Sequence, residues 1–527
     1  MADSLNKIEH IVVLMLENRS FDNMLGWLYD PTNPAPCNGP PLSGTFDGVW
    51  GKNLSNPILP PPGSAPPYPR VPVGKGTDPT MPDPDPGEPY QDVYAQVYGQ
   101  QNVLPLGQVP PKPDTAANME GFLYNYTLQC QAFATKTGKN ADPNVIMNCF
   151  TSATVPVLWS LGLHYGICDH WHASIPTQTL CNRSYLHAGT SSGYVNNGGG
   201  DGILFCNDTP TIFNVMQDGG RNWRIYCASW IVTSLGLLTQ RRLWDDGLSD
   251  HFSYLHDFLE AAKKPGGLPE YSFIEPIYID SLLWGAENDM HPEAWDFDFD
   301  GPSNVEQGEK LLYTVYDAVR NSPDWESTML LILFDEHGGC YDHVSPPTSA
   351  TCGFAISPDG VVIPPTQTGG SGFNFDRLGV RVPAIVVSPY TAEQTVVNRA
   401  FDHTSALSTI VKCFGLPTGK LGQRQLKAPD IGEALNLKAA RTDSPAIPIP
   451  AGWDPSIASR IVSSGEALMR SRNKPLSGLQ QRILVGAAHR MGVEPARVYE
   501  ASQLKTALEA DAYLMKLEAE FHLRRKL

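Results

Sequence analysis

The chain of 527 residues has no apolar run of the 18 or so residues that cross a bilayer as a helix. Its ten cysteines include no C-x-x-C pair, so a structural zinc cluster is not expected, while their even number leaves disulfides open. Basic residues are scarce: 38 Lys and Arg against 55 Asp and Glu give a formal charge of −17, without the concentrated basic surface that nucleic acid binding needs. A lipid-facing role would have to rest on apolar contact. The start, Met1 to Lys7, lacks the basic and then apolar segments of a signal peptide. The chain therefore reads as soluble, with secretion and cytoplasm both open, because a mature secreted enzyme behind a new Met would look the same. No internal repeat is visible.

What is present is loop-rich globular sequence, with 47 Gly and 47 Pro at an ordinary 41% hydrophobic content. Its length predicts a large catalytic domain, residues 1–440, and a further part, residues 441–527. Residues 31–115 form a Pro- and Gly-rich excursion read as a surface wrap or lid without long regular elements. Beyond residue 440 a linker-like passage leads into helix-forming sequence. There Leu504, Ala507, Leu508, Leu514, Met515, Leu517 and Phe521 fall on one broad helical face, expected to pack on the catalytic domain or a partner chain.

Three apolar runs, Ile8 to Leu16, Met329 to Phe334 and Val382 to Val387, read as strands buried on both faces of a sheet. They stop at Glu17-Asn18-Arg19-Ser20, Asp335-Glu336-His337 and Ser388-Pro389-Tyr390, and ligands bind at the carboxyl edge of open α/β sheets, so one shared site is expected there. The spacing in Val305 to Arg320 predicts a helix leading into the second strand.

Glu17, Asn18, Asp335 and Glu336 are hard oxygen donors suited to a divalent ion: calcium, magnesium, manganese or zinc. Taken singly, each is ordinarily a cap, a turn residue or a solvated charge. Two adjacent acids after a buried strand repel each other unless a cation lies between them. A second cluster runs from Ser174 to His187, with Thr179, Asn182 and Arg183. A hydroxyl at a helix start near an arginine has the composition of a phosphoryl-transfer site, with Asn182 and Arg183 toward phosphate oxygens, although such a hydroxyl is usually an N-cap.

The segments ENRSFDNMLGWL (17 to 28), DPGEPYQDVYAQVYG (85 to 99), the T-x-x-N-R step at Thr179, NDMHP (288 to 292), FDEHGGCYDHVSPP (334 to 347), FNFDRLGVRVPAIVVSPY (373 to 390) and FDHTSALSTIVKCFGL (401 to 416) together resemble the phosphoesterase family. That family holds bacterial phospholipases C, plant non-specific phospholipases C and a group of acid phosphatases. The resemblance covers roughly 8 to 416. It implies a three-layer α/β/α sandwich of the alkaline-phosphatase type, here with a C-terminal helical appendage, and a phosphothreonine intermediate. By the same resemblance Glu17, Asn18, Asp335 and Glu336 match metal positions, and Thr179 matches the nucleophile that also touches the metal. His291 and His343 match histidines that serve as general acid or phosphate donor, or else orient a carboxylate. Two departures stand out: Cys181 replaces the proline of T-x-P-N-R, and Glu88 replaces a histidine of the DPGH-like segment.

The expected activity is cleavage of a glycerophospholipid into diacylglycerol and a phosphorylated head group, with peripheral membrane contact left open. An acid phosphatase or phosphodiesterase acting on soluble phosphoesters is the alternative within enzymes. A binding protein with weakened turnover is the alternative outside them.

Overall fold

The computed structural model describes residues 4–33, 38–60, 63, 65–99, 117–197, 207–227, 234–279, 287–292, 304–348, 373, 375–454, 476, 478–490 and 495–525. The first apolar run forms strand β1 (His10–Leu16), followed in chain order by β2 (Gly166–Cys168), β3 (Trp223–Cys227), β4 (Phe252–Tyr254), β5 (Tyr271–Ile274), β6 (Thr328–Phe334), β7 (Ala384–Val387) and β8 (Thr395–Val397). They make one eight-stranded sheet in the order β8-β2-β7-β6-β1-β5-β3-β4. β1 lies at the centre between β6 and β5, parallel to both, with His10 opposite Thr328 and Leu16 opposite Phe334. Every residue of β6 and β7 is buried, as in strands covered on both faces. The helices Pro156–His164, Leu255–Ala262 and Val305–Arg320 form one contacting group, and Thr179–Ala188, Ile212–Asp218 and His403–Cys413 another. This is a layered α/β arrangement, and the helix expected at Val305 to Arg320 has those bounds.

One strand differs from expectation in direction. β7 runs antiparallel to β6, Leu330 pairing with Val387 and Leu333 with Ala384. Its end, Ser388, therefore lies at the amino edge, where its hydroxyl donates to the carbonyl of Thr328 at 3.2 Å. The third polar strand end is thus on the far side of the sheet from Asp335. The residue brought to the carboxyl edge is Arg381, three residues before the start of β7.

The Pro- and Gly-rich wrap carries short strands, Ser55–Pro57 against Arg70–Pro72, and one regular helix that the proline content hides, Tyr90–Tyr98. Val93 and Val97 of that helix join Phe122 and Met147 in a second apolar cluster. At the carboxyl end of the chain, the helices Gly478–Arg490, Pro495–Gln503 and Ala507–Arg525 pack on the main core through Ile483 and Leu484, Ala501, and Leu514 and Leu517 respectively. Among the described side chains of the last helix, Ala510, Asp511, Tyr513, Leu514 and Leu517 are buried, whereas Leu508 is exposed. Leu514 and Leu517 of the expected face are buried, Leu504 lies before the helix, and the side chains of Ala507 and Phe521 lie outside the described ones. Among the described residues no helix is long and apolar enough to cross a membrane.

Candidate active site

At the end of β1 the chain turns through Asn18 in the left-handed conformation, φ 56°. That turn aims the Asn18 amide N–H at Asp335 Oδ1, 3.0 Å away, while Asp335 Oδ1 also accepts from the amide of Glu336 at 2.7 Å. Parallel pairing of β1 and β6 is what sets these two strand ends side by side. Arg183 supports them from below: Nε donates to Asp335 Oδ2 at 3.0 Å, and Nη2 lies 3.3 Å from Glu17 Oε1. Its guanidinium also lies over the ring of Tyr278 at 5.2 Å.

Thr179 is the first residue of its helix. Gln178 is the N-cap, so the Thr179 hydroxyl is not spent on capping and donates instead to Asn18 Oδ1 at 3.2 Å. It sits where the helix N-terminus favours negative charge. Asn182 fastens the preceding loop: Oδ1 accepts from Ile175 N, and Nδ2 donates to the carbonyls of Ile175, Thr177 and Gln178. These bonds fix the turn that Cys181, standing in for proline, leaves unconstrained. The structure thus gives Asn182 and Arg183 partners within the protein.

The side-chain Nδ2 of Asn18 donates to Glu88 Oε1 and lies 2.9 Å from His291 Nε2, which is itself 3.3 Å from Glu88 Oε1. His291 Nδ1 donates to the Pro292 carbonyl at 2.6 Å, which leaves Nε2 facing the cluster. Burial opposes a charge on His291, but Asp85, Glu88 and Glu17 outweigh it and hold the imidazole well above its ordinary value. Arg19 ties the neighbouring segments together, donating to the carbonyls of Met290 and Met81, both at 2.7 Å. Glu88, noticed in the sequence only as a lost histidine, is therefore the partner of His291.

Neither carboxylate oxygen of Glu17 accepts a hydrogen bond among the described residues, nor does Oε1 of Glu336, and all three atoms are buried. Burial first, and then neighbouring carboxylates, push the pKa of both groups well above the usual range. A buried carboxylate is costly unless it is paired: Arg183 lies 3.3 Å from Glu17 Oε1 and Glu336 Oε2 accepts from the Gly338 amide, while Glu17 Oε2 and Glu336 Oε1 have no hydrogen-bond partner among the described residues. Among the described residues, the acids and histidines whose ligand atoms lie within 4.8 Å of one another are Asp85, Glu88 and His291, beside Asn18, and Asp22, Asp342 and His343.

His343 lies in a different cluster. Its Nδ1 pairs with Asp22 Oδ2 at 2.5 Å and its Nε2 with Asp47 Oδ1 at 3.1 Å. Arg381, wholly buried, donates to Asp22 Oδ1 at 2.9 Å and Asp342 Oδ1 at 3.0 Å. Here the protein supplies its own cations, and acids and bases are matched. The sequence reading joined His343 to His291 through their motifs, and it missed Asp22, Asp47 and Arg381 because they come from distant segments.

A layered α/β fold with acids and a hydroxyl gathered at the carboxyl edge of its central strands suits a phosphoric ester hydrolase. The chain belongs to the phosphoesterase family, whose family model matches residues 8–417. It is similar to the non-specific phospholipase C3 of Arabidopsis thaliana, 33% identical over 460 residues that make up 84% of this chain and 76% of that protein. It is also similar to phospholipase C A of Mycobacterium tuberculosis, 28% identical over 430 residues, 78% of this chain and 74% of that one. Among solved structures it is similar to an alkaline phosphatase superfamily protein from Vibrio parahaemolyticus, with a TM-score of 0.29 and 12% identity over 52% of this chain and 63% of that one.

Proposed function

We propose that the protein is a non-specific phospholipase C that cleaves glycerophospholipids on the glycerol side of the phosphate through a phosphothreonine at Thr179. The observation that carries this is the Thr179 hydroxyl, uncommitted to capping, placed against Asn18 beside three buried carboxylates. Relatives named as phospholipases C support the substrate class. A divalent ion on Glu17, Asp335 and Glu336 would neutralise phosphate oxygens and lower the pKa of a nearby hydroxyl.

Thr179 Oγ1 gives up its proton to a carboxylate of the cluster and bonds to phosphorus, in line with the departing glycerol oxygen. His291, protonated under the influence of Asp85 and Glu88, gives its proton to that oxygen. Diacylglycerol leaves, and water then attacks phosphorus to free the phosphorylated head group and restore the hydroxyl. Arg183 and Asn182 act on this chemistry by holding Asp335, Glu17 and the Thr179 loop in place. His343 ties the wrap to the end of β1.

The test is product analysis with long-chain phosphatidylcholine and, in parallel, a soluble phosphate monoester. Diacylglycerol with phosphocholine supports the reading. Release of phosphate from the monoester with no diacylglycerol from the lipid would make the protein a phosphatase instead.

A further inference from the structure

Beside the end of β6 stands a histidine that the chemistry above does not use. His403 is the first residue of the helix His403–Cys413 and is wholly buried. Trp171–His172 pairs in parallel with Phe401–Asp402, which brings Trp171 to one edge of the imidazole. There the indole Nε1–H donates to His403 Nδ1 at 3.2 Å. An indole nitrogen can only donate, so Nδ1 accepts and the ring proton sits on Nε2. That N–H donates to the main-chain carbonyl of Asp335 at 2.6 Å.

The carbonyl of Asp335 and the amide of Glu336 belong to one planar peptide, so what fixes the first fixes the second. The N–H of that peptide donates to Asp335 Oδ1 at 2.7 Å, the oxygen that also accepts from the Asn18 amide at 3.0 Å. The orientation of this one peptide therefore governs where the Asp335 carboxylate lies against Asn18, the partner of Thr179. The histidine is itself anchored. Its N-cap, Asp402, accepts from the amide of Thr404 at 3.1 Å and from Arg424 Nη1 at 3.2 Å. Arg424 is buried, lies 4.5 Å from the ring centre of Tyr185 on the Thr179 helix, and donates through Nη1 to the carbonyl of Ser174 in the loop before it. One helix start thus braces both the acids and the loop that carries Thr179.

We propose that His403 is a positioning residue for the reaction: its Nε2–H, directed by Trp171, holds the Asp335–Glu336 peptide in the orientation that sets the Asp335 carboxylate beside Asn18. This rests on the reading that these acids and Thr179 do the chemistry.

The experiment measures kcat and KM of the wild type, His403→Phe and His403→Gln on dihexanoyl phosphatidylcholine and on p-nitrophenyl phosphate, each well below its own Tm. His403→Phe keeps a flat ring and loses the donor. Its kcat should fall by about a hundredfold, the effect of misplacing a reacting group by an ångström, by the same factor on both substrates and with KM little changed. His403→Gln can again offer an N–H to the Asp335 carbonyl and should recover most of kcat. Should His403→Phe not fold, His403→Met removes the donor in its place. A folded variant without the donor that keeps near-wild-type kcat overturns the assignment, as does a change confined to KM. So does a His403→Gln variant as slow as His403→Phe at equal Tm. A wild type that hydrolyses the monoester and not the lipid ends the phospholipase reading, while kcat on the monoester still decides the role of His403. A wild type inactive on both ends the two together.

Discussion

Gly338 faces the backbone of Asn18 so closely that a Cβ on it would stand 2.0 Å from the Asn18 carbonyl oxygen. Gly338 is itself left-handed, φ +59°, and its amide donates to Glu336 Oε2 at 2.8 Å. Two strand ends are thus pressed together by a residue that must be glycine. Gly338→Ala should cost roughly 1–2 kcal/mol from conformation alone, and the clash should displace Asn18. We expect a lower Tm and a fall in kcat of about a hundredfold, the effect of misplacing a reacting group by an ångström. Gly51→Ala is the control: φ is also positive, +75°, but nothing lies within 4 Å. Equal kcat values for the two variants would show that the close approach does not matter to the chemistry.

Glu17 is a buried acid whose charge is disfavoured by burial and by Asp335, against the attraction of Arg183. Glu17→Gln removes a charge that only a cation stabilises fully. In metal-free protein the variant should therefore unfold at a temperature no lower than the wild type. Its bound divalent metal, measured by elemental analysis, should fall, and kcat should drop by about a hundredfold or more. Normal metal content with near-wild-type turnover would remove Glu17 from the ligand set.

His343 titrates in the alkaline range. Burial lowers its pKa, but Asp22 and Asp47 outweigh burial and raise it to about 9. In the unfolded chain the value returns to about 6.5. The folded protein therefore binds more protons between these values, and the stabilisation, full below about pH 6.5, is lost as the pH rises through about 9. The raised value of Asp342, about 6, acts at lower pH, whereas buried Glu309, raised to about 8, and His291 add to the same fall, so the share of His343 is the part that its substitution removes. Denaturant unfolding should show stability falling from pH 6.5 to 9, and His343→Gln should flatten that fall while lowering stability at pH 6.5. A slope unchanged by His343→Gln would contradict the tie between the wrap and β1.

The site was legible in the sequence where an apolar strand stops at a polar residue, because a buried strand has one natural end. Glu17, Asn18, Asp335 and Glu336 follow from this rule. Strand direction is not written in such a run, so Ser388 was read at the carboxyl edge and Arg381 was passed over until the antiparallel register of β7 placed them. His291 and His343 stand in similar motif contexts, and only partners from far along the chain, Glu88 for one and Asp22 with Asp47 for the other, tell them apart. The Tyr90–Tyr98 helix was hidden by proline-rich surroundings, although its tyrosines recur every four residues. Asn182 and Arg183 carry the right chemistry for phosphate, yet their hydrogen bonds and ion pairs point into the protein.

The central claim is that Thr179 takes the phosphoryl group. The direct measurement is acid quenching of the enzyme during turnover of a 32P-labelled phosphomonoester, followed by peptide mapping. The account predicts label on the peptide carrying Thr179, absent from Thr179→Ala, whose turnover should fall on the order of a thousandfold or more, and present with measurable activity in Thr179→Ser. Label on another residue, or an alanine variant that keeps most of its activity, would contradict it.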